Sequence, residues 1–448
     1  KPVKFLTVNP KGVKENDFVF VLGYPGRTFR NQPAGFFEYH EKYFLSYISN
    51  LFDWQINQME QLGKKDYALS IKYAARIKSL ANTAKNFKGK LQGFNRAGLS
   101  TKKRAEENQL QQYIEANASL NTKYGKVIPR INELYTDLQK VAPRNMWLDQ
   151  IYNVSPQVFA AATLSNFSIS YQALTTDAER KAFIENQRDI IKKAMAKPLG
   201  MYDANLDKPA LIKMLSDAIG FNQTNELPSL TKFLNKRSSL DQLQMLADEV
   251  FMKSKLANAK EVNQLIDNDL HTLLSYKDEL IIFAGELNKE MMRYDVEDQK
   301  RDSELNQLMA SLIEVKQQWK QRSFIPDANS TLRFTYGYVK GYEPNDGVYA
   351  KPFTTLKGVI EKSDTLEFML LDAIRQLYAA NDIGEYMHPG LNDLPVDLLY
   401  NLDTTGGNSG SPVMNAKGQL IAVNFDRAFT ATINDYAWNE TYSRSVGV

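Results

Sequence analysis

The sequence is most informative in the stretch Thr404-Thr405-Gly406-Gly407-Asn408-Ser409-Gly410-Ser411-Pro412-Val413, which places a serine between glycines ahead of an extended run from Gly418 to Phe425. Glycine at position 407 permits a turn that other residues resist, so the N–H groups of Gly407 and Ser409 can point into one oxyanion pocket. Glycine at position 410 leaves room for a bound molecule beside the serine. The pattern therefore predicts a nucleophilic serine at position 409.

This stretch resembles the serine loop of chymotrypsin-like peptidases, in which Asp or Asn usually precedes the serine, as Asn408 does here. The nucleophile elbow of α/β-hydrolases requires Gly-x-Ser-x-Gly instead, and Ser411 occupies its last position. A glycine-rich hairpin with an idle serine is the simpler alternative, but an agreement over the whole stretch is long for chance. We therefore interpret Ser409 as a catalytic nucleophile.

Composition excludes several classes of function. The chain has 448 residues, of which 43% are hydrophobic, and a chain of this length forms roughly two to four domains. A net charge of +3 with mixed signs gives no indication of nucleic-acid or membrane-surface binding. The absence of cysteine excludes disulfides and a cysteine nucleophile. No apolar run reaches the roughly 18 residues of a membrane span.

The character of the sequence changes twice. Residues 1–35 are predicted to be β, centred on the apolar run from Asp17 to Leu22. Glycine and proline become scarce from 36 to 322, and β character returns from 323. An insertion anchored at both ends to one β domain typically forms a wall or cap over a cleft.

Local patterns predict the individual elements. Strands are expected over 334–339, 352–356, 396–402 and 420–425. Helices are expected over 44–62, 66–93, 102–122, 128–141, 177–196, 208–219, 229–256, 260–298, 305–319 and 364–380. Ser303 is the expected N-cap of the 305–319 helix, and Pro209 is expected in the first turn of the 208–219 helix.

A serine nucleophile needs a general base, normally a histidine oriented by a carboxylate. The histidines are His40, His271 and His388, and none has the setting of a β-barrel catalytic histidine, which follows a strand and small residues. We interpret each as a surface or packing residue, with His388 as the best of the three as a substitute base. Their scattered positions predict no metal site, and no cofactor is expected.

The whole chain resembles the bacterial S46 dipeptidyl peptidases. The matching segments are Gly23-Tyr24-Pro25-Gly26-Arg27-Thr28, Ala81-Asn82 with Lys85-Asn86, Pro352-Phe353-Thr354-Thr355-Leu356, and Gly407 through Arg427. The resemblance implies an α+β multidomain fold, namely a chymotrypsin-like double β-barrel with a large inserted all-α domain. Residues 1–35 would end the first barrel, 36–322 would form the helical domain over the cleft, and 323–448 would form the second barrel with the nucleophile.

Members of the family are typically periplasmic or cell-surface-associated bacterial homodimers that release dipeptides from peptide N-termini. The resemblance therefore implies oligopeptides with a free N-terminus as substrates and a second copy of the chain as partner. The catalytic His and Asp of the family lie upstream of the Gly23–Thr28 motif, and the family continues beyond Val448. We therefore expect the chain, which opens on Lys1-Pro2-Val3 without Met or a signal peptide, to be truncated at both ends.

The resemblance also implies a substrate site at the end of the 420–425 strand, in Phe425-Asp426-Arg427. Asp426 would bind the substrate's N-terminal ammonium, helped by Asn82 or Asn86, which share one helix face at spacing i, i+4. The sequence favours Asn82 only slightly. Arg427 would enter the pocket for the second substrate residue, where a guanidinium binds Asp or Glu by two hydrogen bonds.

Two alternatives stay open at this point. The serine loop alone also resembles glutamyl endopeptidases of the staphylococcal V8 type, which would cleave N-acetylated peptides internally. A non-catalytic peptide-binding homologue would keep the fold without the base, and its Ser409 would not react with a fluorophosphonate. The Asp426-Arg427 pair could also be an ordinary surface ion pair, worth about 0–1 kcal/mol.

Overall fold

The computed structural model describes residues 3–322, 324–363, 368–388 and 390–448. The strands in these ranges are β1 Phe18–Gly23, β2 Arg333–Tyr338, β3 Tyr342–Asn345, β4 Val348–Ala350, β5 Phe353–Thr355, β6 Pro395–Tyr400, β7 Pro412–Asn415, β8 Leu420–Arg427 and β9 Ser445–Gly447. The α-helices are α1 Ala34–Tyr39, α2 Leu45–Lys65, α3 Tyr67–Ala97, α4 Leu99–Glu115, α5 Ala118–Tyr124, α6 Val127–Val154, α7 Pro156–Gln172, α8 Asp177–Met201, α9 Ala204–Ile219, α10 Pro228–Leu234, α11 Leu240–Lys253, α12 Ala259–Asn268, α13 Leu270–Ser275, α14 Glu279–Lys320, α15 Leu356–Lys362 and α16 Asp372–Ala379. A π-helical segment spans His40–Phe44, and 3₁₀ segments span Gln223–Asn225, Lys255–Ala257, Gly384–Tyr386 and Phe429–Asp435.

The chain divides into two compact units. The first comprises Lys1–Phe37, Asn82–Gln109 and Lys316–Val448, and the second comprises Glu38–Ala81 and Leu110–Val315. The division expected from the sequence did not separate residues 82–109, which are helical but belong to the first unit with the strands. Helical spacing in a sequence identifies a segment as a helix, but it does not show which hydrophobic core that helix packs against.

The first unit is built on an antiparallel sheet with strand order β2-β1-β7-β8-β9-β6-β5. Strand β1 pairs along its whole length with β2 and also pairs with β7. The resemblance implied that β1 ends a separate first barrel, whereas in the structure β1 belongs to the sheet that leads into the serine loop. Alternation along β1 buries Val19 and Val21 on one face, and they join a core with Val13, Val339, Leu398, Tyr400, Leu402, Val413 and Ala422.

A bridge just after β2 closes part of this sheet into a ring. Val339 pairs with Tyr400 of β6. The N–H of Lys340 donates to the carbonyl of Leu399 at 3.1 Å, and the N–H of Asn401 donates to the carbonyl of Tyr338 at 3.1 Å. Among the described strands, β2, β1, β7, β8, β9 and β6 therefore follow one another around a ring, which leaves fewer unpaired edges.

The second unit is helical and has an aliphatic core. Trp147 is fully buried in it and donates its indole N–H to the carbonyl of Met214 at 2.7 Å. Helix α7, which the sequence analysis did not identify, supplies a run of buried small residues from Ala160 to Ala162. Helix-rich segments and an antiparallel sheet together confirm the α+β class.

Two predicted helix starts were wrong. Ser303 does not cap a helix, because α14 runs through it without interruption; the exposed hydroxyl can be solvated while the backbone stays helical. Pro209 is not in a first turn, because α9 begins at Ala204 behind the N-cap Asp203. Residues 364–367 of the helix predicted over 364–380 lie outside the described residues, and α16 covers part of the remainder. Among the described helices, none combines the length and the hydropathy that crossing a bilayer requires.

Candidate active site

Asn408 fixes the loop that presents Ser409. Its side chain is buried and accepts a hydrogen bond from the N–H of Thr405 at 3.1 Å, while its carbonyl accepts one from the Asn424 amide at 3.2 Å. A Cβ at Gly23 would lie 2.3 Å from the Asn408 Nδ2, so the end of β1 must be glycine for Asn408 to fit. The residue before the serine thus joins the loop to β8.

The Gly23–Thr28 motif contacts the serine loop. The N–H of Gly26 donates to the carbonyl of Gly406 at 2.6 Å. Gly407 has φ of +100°, and a Cβ there would lie 2.4 Å from the carbonyl oxygen of Tyr24. Both the backbone conformation and the close approach therefore require glycine at 407.

Two N–H groups of the serine loop stand out. The N–H groups of Asn408, Gly410 and Ser411 are not among them, because they donate to the carbonyls of Thr405, Asn424 and Asn408, respectively. Within the described ranges, the N–H groups of Gly407 and Ser409 have no such acceptor, and both residues are exposed. Solvent-facing donors on either side of Asn408 are the groups that an oxyanion hole requires.

The hydroxyl of Ser409 is exposed and donates to the carbonyl of Phe425 at 2.9 Å. No histidine of the described chain hydrogen-bonds to it. The backbone of His388 instead pairs with that of Asp393, and the Nδ1 of His388 accepts a hydrogen bond from the N–H of Gly390 at 3.1 Å. His271 contacts the Tyr171 ring edge-on in the second unit. The contact between Ser409 and β8 places the serine next to the predicted substrate-binding stretch.

A β-bulge shapes the end of β8. Asn424 pairs with Gly447, whereas Asp426 pairs with Val446, so one extra residue is accommodated on β8. A bulge changes the direction in which the following side chains point. Phe425 and Asp426 are exposed beyond it, and one Asp426 carboxylate oxygen accepts from the N–H of Arg427 at 2.8 Å. The Asp426 carboxylate is thereby held at the surface.

Arg427 forms an internal ion pair that the sequence analysis missed. Its Nη1 donates to Oδ1 of Asp435 at 2.8 Å, and the Lys90 Nζ lies 2.7 Å from Oδ2 of the same carboxylate. The side chains of Arg427, Asp435 and Lys90 are only 12%, 11% and 9% exposed. Burial alone would raise the pKa of Asp435, but the two cations outweigh it and hold that pKa below its usual value. Burial lowers the pKa of Lys90 in spite of Asp435.

Part of the Arg427 guanidinium stays available. Neither Nε nor Nη2 has a hydrogen-bond partner among the described residues, and neither belongs to the fully buried unsatisfied atoms. These two nitrogens form the edge that binds a carboxylate in bidentate pairs. Arg427 can therefore bind an acidic ligand while it keeps its hydrogen bond to Asp435.

Helix α3 brings Lys90 to this cluster by close packing. A Cβ at Gly89 would lie 2.3 Å from the Thr432 hydroxyl, and one at Gly93 would lie 2.5 Å from Cβ of Ile433.

Asn82 and Asn86 precede Lys90 at intervals of four residues, so the three share a helix face. Asn82 is exposed and Asn86 is half-buried; neither has a hydrogen bond to Asp426 in the described structure. The i, i+4 spacing used for the asparagines could have identified Lys90, whereas nothing in the pattern around Asp435 marked it.

The arrangement combines an exposed serine hydroxyl, two free N–H donors, a surface carboxylate and a guanidinium edge. These groups suit acyl transfer from a peptide that carries a free amine and an acidic side chain. Over the described residues, no cluster of three or more His, Asp or Glu side chains is arranged to hold a metal ion.

Comparison with known proteins gives a consistent result. The Asp/Glu-specific dipeptidyl-peptidase of Shewanella putrefaciens is 28% identical over all of this chain and 64% of its own length. Dipeptidyl-peptidase 7 of Porphyromonas gingivalis is 29% identical over all of this chain and 62% of its own length. The chain therefore spans less than two thirds of each relative. Since these relatives are dipeptidyl peptidases, the comparisons do not favour the endopeptidase alternative.

A solved structure agrees with this result. The crystal structure of Porphyromonas endodontalis DPP11 in complex with the dipeptide Arg-Glu matches with a TM-score of 0.81 and 26% identity, over 100% of this chain and 63% of that one. The Peptidase S46 family matches residues 1–448. The chain belongs to the peptidase S46 family.

Proposed function

We propose that the protein is a serine exopeptidase that releases dipeptides from peptide N-termini, with Asp or Glu as the second residue. The observation that carries the proposal is the 2.9 Å contact between the Ser409 hydroxyl and the carbonyl of Phe425. Ser409 thereby lies beside the strand end that carries Asp426 and Arg427, which supports its role as the nucleophile. The Asp/Glu-specific relatives and the dipeptide-bound DPP11 structure support the same assignment.

Each residue has a separate role in this proposal. Ser409 attacks the carbonyl carbon of the second residue, whose bond to the third residue then breaks, and the N–H groups of Gly407 and Ser409 stabilise the intermediate oxyanion. Asp426 binds the N-terminal ammonium of the substrate together with Asn82 or Asn86, which fixes the distance from the N-terminus to the scissile bond. Phe425 lines the pocket of the second residue.

Arg427 determines the preference for an acidic second residue. Its free Nε and Nη2 bind the carboxylate of Asp or Glu as a bidentate pair, whereas an apolar side chain offers these two donors no acceptor and an amide offers only one oxygen. In this proposal the general base is a histidine oriented by an aspartate, both upstream of the Gly23–Thr28 motif as the family resemblance implies.

The finer architecture belongs to the same proposal. The ring of strands around the serine loop supports a chymotrypsin-like barrel as one half of a double-barrel peptidase domain. The resemblance further suggests a periplasmic or cell-surface-associated bacterial homodimer. Its substrates are oligopeptides with a free N-terminus, and it requires no metal or other cofactor.

Product analysis tests the proposal. The full-length protein, purified from its native host, is incubated with an Ala-Glu reporter. An N-acetylated Ala-Glu reporter serves as the matched control, and the products are identified by mass spectrometry. We expect release of Ala-Glu from the free peptide alone, because acetylation removes the ammonium that Asp426 binds.

The Ser409→Ala variant is expected to lower turnover on the order of 10³-fold or more while it still binds Ala-Glu. Internal cleavage of the acetylated peptide would instead identify an endopeptidase. Failure of Ser409 to react with a fluorophosphonate would identify a non-catalytic peptide-binding protein.

A further inference from the structure

The ion cluster of Lys90, Asp435 and Arg427 lies behind the proposed pocket, and none of the catalytic steps above uses Lys90 or Asp435. Its members come from three elements: α3, the 3₁₀ segment Phe429–Asp435 and β8. Two cations share one carboxylate, each on a separate oxygen, at 2.7 and 2.8 Å. The cluster therefore has a net charge of +1 although its side chains are largely buried.

We propose that Asp435 and Lys90 are positioning residues that set the acidic preference of Arg427. Asp435 holds the guanidinium through Nη1, so that the Nε and Nη2 edge faces the substrate carboxylate. Lys90 supplies the second positive charge, without which the Arg427–Asp435 pair would be neutral. This inference rests on the proposed function and deepens it by naming what makes one arginine selective.

The geometry supports a role in orientation. An arginine side chain has several rotatable bonds, and a fixed carboxylate restricts them before the ligand arrives. Asp435 is itself fixed, because its backbone carbonyl accepts the N–H of Phe29 at 2.7 Å. The ring of the next residue, Tyr436, packs against Phe94 at 5.0 Å. The guanidinium is thus positioned by a side chain that cannot easily move away.

The charge balance supports the role of Lys90. Lys90 is 7% exposed as a residue and lies over the rings of Phe87 and Tyr436 at 5.3 and 5.7 Å, so little water screens its charge. A positive charge one ion pair behind the guanidinium changes carboxylate affinity on the order of tenfold, which corresponds to about 1.4 kcal/mol. An uncharged ligand of equal shape would be almost insensitive to it.

Binding measurements with matched ligands test the proposal. Dissociation constants of Ala-Glu and Ala-Gln are measured by calorimetry for the intact protein and for Lys90→Met and Asp435→Asn. Ala-Gln differs from Ala-Glu only in the charge of the second side chain. We expect the Glu-over-Gln preference to fall about tenfold in Lys90→Met. We expect it to fall in Asp435→Asn as well, because the loss of the fixed guanidinium orientation outweighs the removal of a negative charge.

Control variants carry the same charge changes elsewhere in the first unit. Lys102→Met on α4 and Asp346→Asn between β3 and β4 alter exposed residues and are expected to leave the preference unchanged. Circular dichroism checks that each variant is folded, and hydrogen exchange at β8 reports any local loosening.

The outcomes separate this inference from the proposed function. In one outcome the parent protein prefers Ala-Glu, and the variants either keep that preference or bind both ligands more weakly by the same factor. That outcome would overturn the role of Lys90 and Asp435 and leave the proposed function standing. A parent protein that does not prefer Ala-Glu over Ala-Gln would overturn both.

Discussion

Asp435 in the first unit and Asp207 in the second are both buried, with 8% and 1% of the whole residue exposed, yet the pKa values of their carboxyl groups shift in opposite directions. The pKa of Asp435 is lowered, because Arg427 and Lys90 outweigh the cost of burial. Burial raises the pKa of Asp207 to about 7, since its hydrogen bond from the N–H of Asp203 and the charge of Arg76 only partly offset that cost. A buried carboxylate stays ionised where two cations contact it directly, and tends to bind a proton where burial dominates.

Asp435 and Asp207 therefore have different roles. In the first unit the ionised acid holds Arg427 beside the serine loop. In the second unit burial also raises the pKa of Asp149 to about 6, and the neighbouring Asp298 and Asp295 add to the effect. Asp435 beside the proposed site is thus a compensated charge, whereas ionisation of Asp207 and Asp149 in the helical unit is costly.

Removal of the Asp435 carboxylate should have the largest effect on stability. Asp435→Ala leaves Arg427 and Lys90 buried without a counter-charge, and breaking a buried ion pair in this way costs about 3–5 kcal/mol. We expect that loss in the free energy of unfolding of the first unit, measured from hydrogen exchange at β8 in increasing urea. Asp346→Ala is the exposed control; a loss of the same size in both variants would contradict the account.

The Asp435 contribution also has a defined pH dependence. Its folded-state pKa is lowered, so the stabilisation is complete above the unfolded value of about 3.9 and is lost as pH falls through the folded-state pKa. The difference between the parent protein and Asp435→Ala should accordingly shrink below that pH.

Asp207→Asn should have the opposite and smaller effect. The folded protein binds a proton on Asp207 more readily than the unfolded chain does, so the second unit should lose stability as pH rises from about 3.9 towards the folded-state pKa of about 7. Asparagine keeps an acceptor for the N–H of Asp203 without the charge. We expect Asp207→Asn to stabilise the second unit on the order of 2–4 kcal/mol at pH 8 and to flatten its pH dependence.

Urea unfolding of the parent protein and Asp207→Asn at pH 5 and pH 8, followed by hydrogen exchange at α9, measures this effect. Asp189→Asn on α8 changes an exposed carboxylate of the same unit and serves as the control. An equal stability difference at both pH values would show that the charge of Asp207 is not responsible.

The sequence predicted most of the elements but not how they combine. Apolar alternation located β1, β2, β6 and β8, and helical spacing located most helices, because both patterns are local. Strand pairing is not local: nothing around Asp17–Leu22 indicates that β1 lies between β2 and β7. Ser303 and Pro209 were misplaced because each is a start signal that a longer helix can contain.

The candidate site was predictable where a motif names its residues. Ser409, Phe425, Asp426 and Arg427 fall in one stretch of the sequence, and the structure joins its ends through the Ser409–Phe425 contact. Asp435 was missed because its significance depends on Lys90, which contacts it from 345 positions earlier in the chain. No window of sequence contains that pair.

The most direct test of the central claim compares turnover of Ala-Glu and Ala-Leu reporters by the parent protein and by Arg427→Gly. The account predicts that Arg427→Gly loses the Glu preference by a factor on the order of 10² or more, because a buried hydrogen-bonded charge pair is worth about 2–5 kcal/mol. Cleavage of the Ala-Leu reporter should persist, which shows that Ser409 still functions. An unchanged preference for Ala-Glu in Arg427→Gly would contradict the account.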